Sequence, residues 1–291
     1  MSARHPIIAI TGSSGAGTST VRAVFEGIFR REAVSAAIVE GDSFHRYERA
    51  ALRRMNEVRE ENGEARISLF GPEANLFAEL ETLFRVYGES GTGKYRHYLH
   101  DREEAERYGQ TPGSFTPWED LPPDTDLLFY EGLHGAVRTP EIDVARHPDL
   151  LIGIAPVANL EWIQKIHRDT RMRGYSREAV TRTILARMPD YLQYVVPQFN
   201  LTHINFQRVP VVDTSDPVGA RDIPANSESL VVIRFANPRG VDFPYLLSMI
   251  QGAFMSRANT IVIPGDRQDL AMQLIFTPLL WRLMALRHSD S

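Results

Sequence analysis

The chain has 291 residues, no cysteine, a formal charge of −5 and a pI near 6.0. The missing cysteine excludes disulfides, thiolate metal sites, cysteine nucleophiles and thiol switching, and the charge balance excludes the global basic field of a nucleic-acid binder. Apolar residues make up 43% and charged residues 24%, with no unbroken apolar run of ~18 residues and no room for a signal peptide before the first strand, so a cytoplasmic globular protein without a membrane span is expected.

Ile7-Ile8-Ala9-Ile10 is a short, β-branched apolar run and predicts a buried strand over 7–11. Val21, Val24, Phe25, Ile28 and Phe29 then recur at three- and four-residue steps, so a helix runs to about Arg31. Between them stand Gly12, Ser13, Ser14, Gly15, Ala16, Gly17, Thr18, Ser19 and Thr20. Strand, glycine-rich turn and helix together make a phosphate loop: the glycines let backbone N–H groups turn inward, and the helix N-terminus adds partial positive charge. Ser19 occupies the position of the hydroxyl that binds Mg²⁺ in G-x-x-x-x-G-K-[ST]. The lysine position is Thr18, so the charge that meets the outer phosphates of ATP must come from elsewhere.

A second strand is predicted at 36–39, closing on Glu40-Gly41-Asp42. Asp42, His45 and Arg49 share one face if a helix begins near Asp42 and covers 45–60. A carboxylate beside an imidazole and a guanidinium suits a substrate with a hydroxyl to deprotonate and a phosphate to hold. An N-cap aspartate before a solvated arginine face is the other reading. A turn-rich stretch at 63–72 leads to a helix over 73–87. The segment 88–123, rich in Gly, Pro, Thr and Tyr, reads as an insertion of loops and short strands over the site's edge. Within it, Gly88-Glu89-Ser90-Gly91-Thr92-Gly93-Lys94 has phosphate-loop spacing but neither the strand before nor the helix after, so it is a turn. His97 and His100 have no third ligand nearby and are taken as loop histidines.

Leu127–Tyr130 predicts a strand closing on Glu131, an acid placed to hold Mg²⁺ directly or through water, or else to cap a turn. Leu150–Ala155 is another strand. Helices at about 158–173 and 176–194 follow, separated by Gly174. The first carries Lys165, Arg168, Asp169 and Arg173, either as a surface helix of ion pairs or as a lid that brings in the charge Thr18 lacks. Of the 32 basic residues only Lys94 and Lys165 are lysines, which makes Lys165 a candidate for chemistry that an arginine fork would not serve. His167-Arg168-Asp169 imitates the protein-kinase H-R-D motif, but Gly174 stands where its asparagine belongs. Strands at 208–213, 229–235 and 260–264, with helices near 243–251 and 268–286, complete one α/β domain with a mainly parallel or mixed sheet.

The stretches Gly-Ser-Ser-Gly-Ala-Gly-Thr-Ser-Thr at 12–20, Glu-Gly-Asp-Ser-Phe-His-Arg at 40–46, Tyr-Glu-Gly-Leu-His-Gly at 130–135 and Asn-Leu-Glu-Trp-Ile-Gln-Lys-Ile-His-Arg-Asp at 159–169 resemble the phosphoribulokinase family. The resemblance is to its bacterial, cysteine-free form and extends to 205–215 and 255–259. It implies an adenylate-kinase-like P-loop NTPase fold and ATP-dependent, Mg²⁺-requiring phosphorylation of D-ribulose 5-phosphate at O1. By position it implies Asp42 as base and Asp169, Lys165 and Glu131 as further catalytic groups. His45, Arg49, Arg168 and Arg173 match the contacts to the sugar phosphate. It also implies a cytoplasmic homo-oligomer, an octamer, activated by NADH and inhibited by AMP through Arg31, Arg234 and Arg257. Two rival readings are a uridine- or pantothenate-type kinase and a nucleotide-binding regulator without catalysis.

Overall fold

The computed structural model describes residues 4–12 and 18–289. At its centre is β1 (Ile7–Gly12), whose six residues are all buried. A strand so uniformly apolar needs cover on both faces and neighbours on both edges. α1 (Thr18–Arg31) follows, then β2 (Ala36–Glu40), α2 (Arg49–Glu61) and α3 (Phe77–Ser90). The insertion contains the two-residue strands β3 (Lys94–Tyr95) and β4 (Glu119–Asp120) with α4 (Arg102–Arg107) between them. β5 (Leu127–Gly132), β6 (Leu150–Ile154), α5 (Ala158–Arg173), α6 (Arg177–Asp190) and β7 (Ile204–Pro210) come next. β8 (Ser229–Phe235), α7 (Phe243–Met249), β9 (Phe254–Arg257), β10 (Thr260–Pro264) and α8 (Gln268–Ser289) end the chain.

The main sheet has eight strands in the order β2-β5-β1-β6-β7-β8-β10-β9. From β2 to β7 every pairing is parallel; from β7 to β9 every pairing is antiparallel. One face packs under α1 and α8, where Phe25 stacks on Phe276 at 4.5 Å between ring centroids and Ile8, Ile10, Phe129 and Ile152 fill the floor. The other face of the parallel half packs under α3, whose Leu80, Leu83, Phe84 and Tyr87 cover Ile7, Ala9, Leu128 and Tyr130. The expected mixed, mainly parallel α/β sheet flanked by helices is therefore what forms.

α5 and α6 keep a small core of their own: Ile166, Val180 and Ile184 pack with Trp162 and Met188. Gly174 ends α5 in the left-handed region at φ 71°, and the Ser176 hydroxyl caps α6 by accepting from the Ala179 N–H. Beyond Asp190 the chain tightens into a π turn (Tyr191–Val195) and a 3₁₀ turn (Val196–Asn200), so the second helix is shorter than the expected 176–194.

Other boundaries also differ from expectation. The strand expected at 208–213 lies at Ile204–Pro210, because Ile204 and Phe206 are the residues that reach the core. Their polar alternates Asn205 and Gln207 broke up the apolar signal. Helix α3 begins at Phe77, after a 3₁₀ turn at Pro72–Ala74, and runs on to a left-handed Gly91. The glycine-rich stretch at 88–94 is this helix end, and Lys94 pairs with Asp120 at 2.9 Å. α8 reaches, by length and hydropathy, the range of a membrane-crossing helix, although polar and charged residues break its apolar run. Its Ala271, Met272, Ile275, Phe276 and Leu280 are buried in the sheet core.

Candidate active site

In open α/β sheets ligands meet the carboxyl ends of the parallel strands. Gly12 ends β1 there with no space for a side chain: a Cβ would lie 2.8 Å from Thr18 Cγ2 and 3.1 Å from the Ile154 carbonyl. Ser13, Ser14, Gly15, Ala16 and Gly17 lie outside the described residues, as does the side chain of Ser19. Thr18, where the pattern has lysine, opens α1 and is buried, and its side chain hydrogen-bonds Glu131. Thr20 is exposed on the first turn.

Two further glycines bring the acids together. A Cβ on Gly132 would sit 2.7 Å from the Gly41 Cα, and one on Gly41 would sit 2.8 Å from the Gly132 Cα and 2.6 Å from the Tyr130 hydroxyl. The ends of β2 and β5 therefore touch backbone to backbone at Gly41 and Gly132, the chain neighbours of Asp42 and Glu131. Register adds a third carboxylate, since Glu40 and Glu131 are cross-strand partners. Arg22 of α1 pairs with Glu40 and, at 2.8 Å, with Glu26.

The helix that the sequence allowed to begin near Asp42 does not begin there. Asp42 lies in a 3₁₀ turn (Gly41–Phe44), and α2 starts only at Arg49. His45 still reaches it: the imidazole Nε2 is 3.2 Å from Asp42 Oδ1, with His45 buried and the Asp42 side chain 38% exposed. Burial opposes charge on Asp42, but the hydrogen bond and positive charge of His45, helped by His100, hold its pKa below the usual carboxylate range. Burial likewise opposes charge on His45, and Asp42 and Asn75 overcome it, so its pKa is raised. Arg49 is not on this pair; its guanidinium donates to the His100 carbonyl at 3.0 Å and lies 5.7 Å from the Tyr98 ring centroid.

Glu131 shows the opposite shift. Burial raises its pKa, the Thr18 hydrogen bond lowers it, and the negative charges of Asp42 and Glu40 raise it further. Such a site gains from a cation. Among the described residues no group of three or more His, Cys, Asp or Glu is arranged to hold a metal ion. Mg²⁺ does not need one, because it keeps waters and substrate phosphates as most of its ligands and takes one or two from protein. Glu131 fits that sparse donor set. His134, close by, is buried, with Nε2 3.0 Å from the Phe70 carbonyl; burial lowers its pKa to about 3, so it is neutral.

On α5 the second set of candidates is its own cluster. Lys165 Nζ donates to Asp169 Oδ2 at 2.7 Å and Arg168 Nε to Asp169 Oδ1 at 3.1 Å. The Asp169 side chain is 7% exposed. Burial raises the pKa of Asp169, and its Lys165 and Arg168 partners more than reverse this. Burial, with Arg187 and Arg168, holds the pKa of Lys165 below the usual lysine range against the pull of Asp169. The side chain of Arg173 lies outside the described residues. The hydrogen bonds described for Lys165 and Arg168 stay within the helix and do not reach the Asp42 turn.

Residues 7–215 match the model of the phosphoribulokinase / uridine kinase family. The chain belongs to that family. It is 64% identical over 287 residues to a chromosomal phosphoribulokinase of Cupriavidus necator, covering 99% of this chain and 98% of the relative. It is 62% identical over 281 residues to a phosphoribulokinase of Nitrobacter vulgaris, with 97% of each covered. A solved phosphoribulokinase from Rhodobacter spheroides superimposes with a TM-score of 0.91 at 56% identity, over 98% of this chain and 99% of that one. Family membership fixes the P-loop kinase fold read from the sequence.

The three arginines that the family resemblance marks for effectors are not one cluster. Arg31 ends α1, donating to Glu32 and to Thr277 of α8, each at 2.8 Å. Arg234 leaves the sheet from the opposite face, donating to the Phe199 carbonyl at 3.2 Å, and it and Arg257 flank Thr260 in the strand register. Within one chain the sheet separates Arg31 from Arg234.

Several site residues were invisible to sequence reasoning. His100, read as a plain loop histidine, lies 3.7 Å from Asp42 Oδ2 and 3.9 Å from Glu40 Oε2. Arg96 donates to the carbonyls of Ser43 (2.9 Å) and His45 (2.6 Å) while its guanidinium lies 3.6 Å from the Phe115 ring centroid and 4.8 Å from that of Trp118. Gln198, fully buried, accepts from Thr11 (2.7 Å) and Ala136 (3.0 Å) and donates to Leu133 and Tyr194, tying the ends of β1 and β5 to the turn after α6. The only sequence sign of Arg96 and His100 was their place in an insertion expected over the site.

Proposed function

We propose that this chain transfers the γ-phosphoryl group of ATP to O1 of D-ribulose 5-phosphate, forming ribulose 1,5-bisphosphate and ADP for Calvin-cycle carbon fixation. The observation that carries the reading is Asp42. It is an ionised, partly exposed carboxylate at the end of β2, next to the end of β5 that carries Glu131, in a chain 64% identical over 287 residues to a phosphoribulokinase. In the proposed reaction Asp42 takes the proton of the O1 hydroxyl. O1 attacks the γ-phosphorus, a new O–P bond forms, and the bond to the β–γ bridging oxygen breaks with its electron pair leaving on ADP. Asp169 is the poorer base, since both its oxygens are taken by Lys165 and Arg168.

Residues 12–20 receive the phosphates of ATP through backbone N–H groups. Ser19 and Glu131 hold Mg²⁺, which when bound neutralises charge on the outer phosphates. Lys165 and Arg168, carried on the α5–α6 lid, supply the cation that Thr18 cannot. His45, Arg49, Arg168 and Arg173 take the sugar phosphate, with His45 acting mainly through Asp42. We read residues 1–291 as a single kinase domain with a loop-rich insertion at about 88–123 and a lid helix at about 158–173. By resemblance alone, the enzyme is a cytoplasmic homo-oligomer, an octamer, with NADH as activator and AMP as inhibitor acting through Arg31, Arg234 and Arg257.

The test is ADP release, coupled to NADH-independent detection, with ribulose 5-phosphate, uridine and pantothenate as acceptors, each with and without added NADH. Turnover is expected with the sugar phosphate alone. Turnover with uridine or pantothenate, or binding of ATP without any turnover, would overturn the reading in favour of one of its rivals.

A further inference from the structure

The geometry assigns a positioning role to Asn75: by fixing the imidazole of His45, it turns the other ring N–H onto Asp42 and so aims the base. This rests on the reading of Asp42 as the general base.

Asn75 is 2% exposed, and every polar atom of its side chain is engaged. Its Nδ2 donates to the Leu69 carbonyl at 2.9 Å and to the Gly71 carbonyl at 2.7 Å. Two carbonyls can be met only by the NH₂ end, so the amide has one orientation and Oδ1 must face His45. That oxygen is 2.9 Å from His45 Nδ1, and it can only accept. Nδ1 therefore carries a proton. At the ring's other end Nε2 faces a carboxylate oxygen at 3.2 Å, which also can only accept. Both ring nitrogens are donors, and His45 stands as an imidazolium between an amide oxygen and Asp42.

The backbone holds the same register. His45 and Asn75 form an isolated antiparallel bridge, with Arg46 N donating to the Ala74 carbonyl at 2.7 Å and Leu76 N to the Phe44 carbonyl at 2.8 Å. From the insertion, Arg96 grips the His45 carbonyl and Tyr98 sets its ring edge-on at 5.9 Å. The ring can neither slide nor flip without breaking one of these contacts. The charged and titratable groups around the pair are Arg96 facing His45, and His100, His134, Glu40 and Glu131 facing Asp42.

The experiment has two arms. Ring-nitrogen NMR of the wild-type enzyme at pH 7 should show both Nδ1 and Nε2 of His45 protonated; a neutral ring overturns the proposal whatever the variants do. In Asn75→Leu, kcat should fall roughly 10- to 100-fold, the usual size for losing an outer partner of a functional side chain. Its KM for ATP should stay within about twofold, since the nucleotide loop is untouched. The acid limb of its pH–kcat profile should move upward, because Asp42 loses a fixed positive neighbour. A folded Asn75→Leu enzyme with wild-type kcat and an unmoved acid limb overturns the assignment. If that variant does not fold, the wild-type spectrum decides. Wild-type kcat in Asp42→Asn, with the His45 ring still doubly protonated, would instead overturn the underlying reading of the base, and the role of Asn75 would fall with it.

Discussion

Two carboxylates on touching strand ends are shifted in opposite directions, and each direction makes a separate prediction. Asp42 sits below the ordinary carboxylate range, so its ionised form stabilises the fold at pH values above ~3.9 and that contribution is lost as pH falls through its lower folded value. His45 has the opposite sign: its contribution is complete below ~6.5 and fades as pH rises through its raised folded value. The pair is therefore at full strength between the two reference values, about 3.9 and 6.5, and weakens on either side. Asp42→Asn should cut kcat by ~10²–10⁴ while leaving nucleotide affinity unchanged; steady-state kinetics with ATP titration checks this, and lost affinity at near-normal kcat would make Asp42 structural. Glu131 is held above its ordinary range, so its negative charge works against the fold at neutral pH. In metal-free protein Glu131→Gln should raise the thermal midpoint, while in the assay it should lower kcat and demand more Mg²⁺. A lower midpoint would show that Glu131 is a stabilising cap. Both acids stand out in the sequence because each lies beside a glycine at the end of an apolar strand. Asn75, Arg96 and His100 could not, since no period or motif marks a loop residue whose value comes from what it meets across the fold.

Among the elements, the α5–α6 pair differs from the rest. It is helix-periodic and carries the proposed lid helix, and its own cluster of buried residues is small, Ile166, Val180 and Ile184, with Leu160 and Ile163 the other buried apolar side chains of the two helices. Few buried contacts make a unit that opens at less free energy than the sheet. Amides of 160–188 should therefore exchange with solvent well before those of β1, β5 and β6, and should slow when ATP and the sugar phosphate are both present. Uniform exchange across lid and sheet would show one rigid body. Lys165→Met should lower kcat by roughly 10²–10³, about 2.7–4 kcal/mol, with little change in ATP binding. Arginine should restore little, because its planar fork replaces a compact ammonium that now sits 2.7 Å from Asp169. Strand reading succeeded wherever both faces are buried, as in β1, β5 and β6, or where alternation is clean, as in β8. It slipped on β7, and it missed β9 at the exposed edge and α4 in the insertion, whose residues bury too little to leave a pattern.

Across the whole molecule the sheet divides its work. The carboxyl ends of β1, β2 and β5 carry Gly12, Asp42 and Glu131, and the antiparallel strands carry none of the proposed catalytic groups. What joins the halves is the layer of α1 and α8, centred on Phe276, which is fully buried against Phe25 and Phe206. Phe276→Ala should cost about 3–5 kcal/mol in urea unfolding, although the residue lies outside the proposed site. A change under 1 kcal/mol would show that α8 collapses to fill the gap.

The contact between Gly41 and Gly132 has a consequence in the currency of inheritance. Each glycine occupies the space that the other's side chain would need, and the Tyr130 hydroxyl fills the rest. No compensating change at one position can make room for a change at the other, so the two cannot drift as a pair in the way facing core residues trade volume. Trimming Tyr130 to phenylalanine removes one oxygen from the crowd but leaves the opposing backbone in place. A descendant that loses either glycine has a single full remedy, which is to regain it.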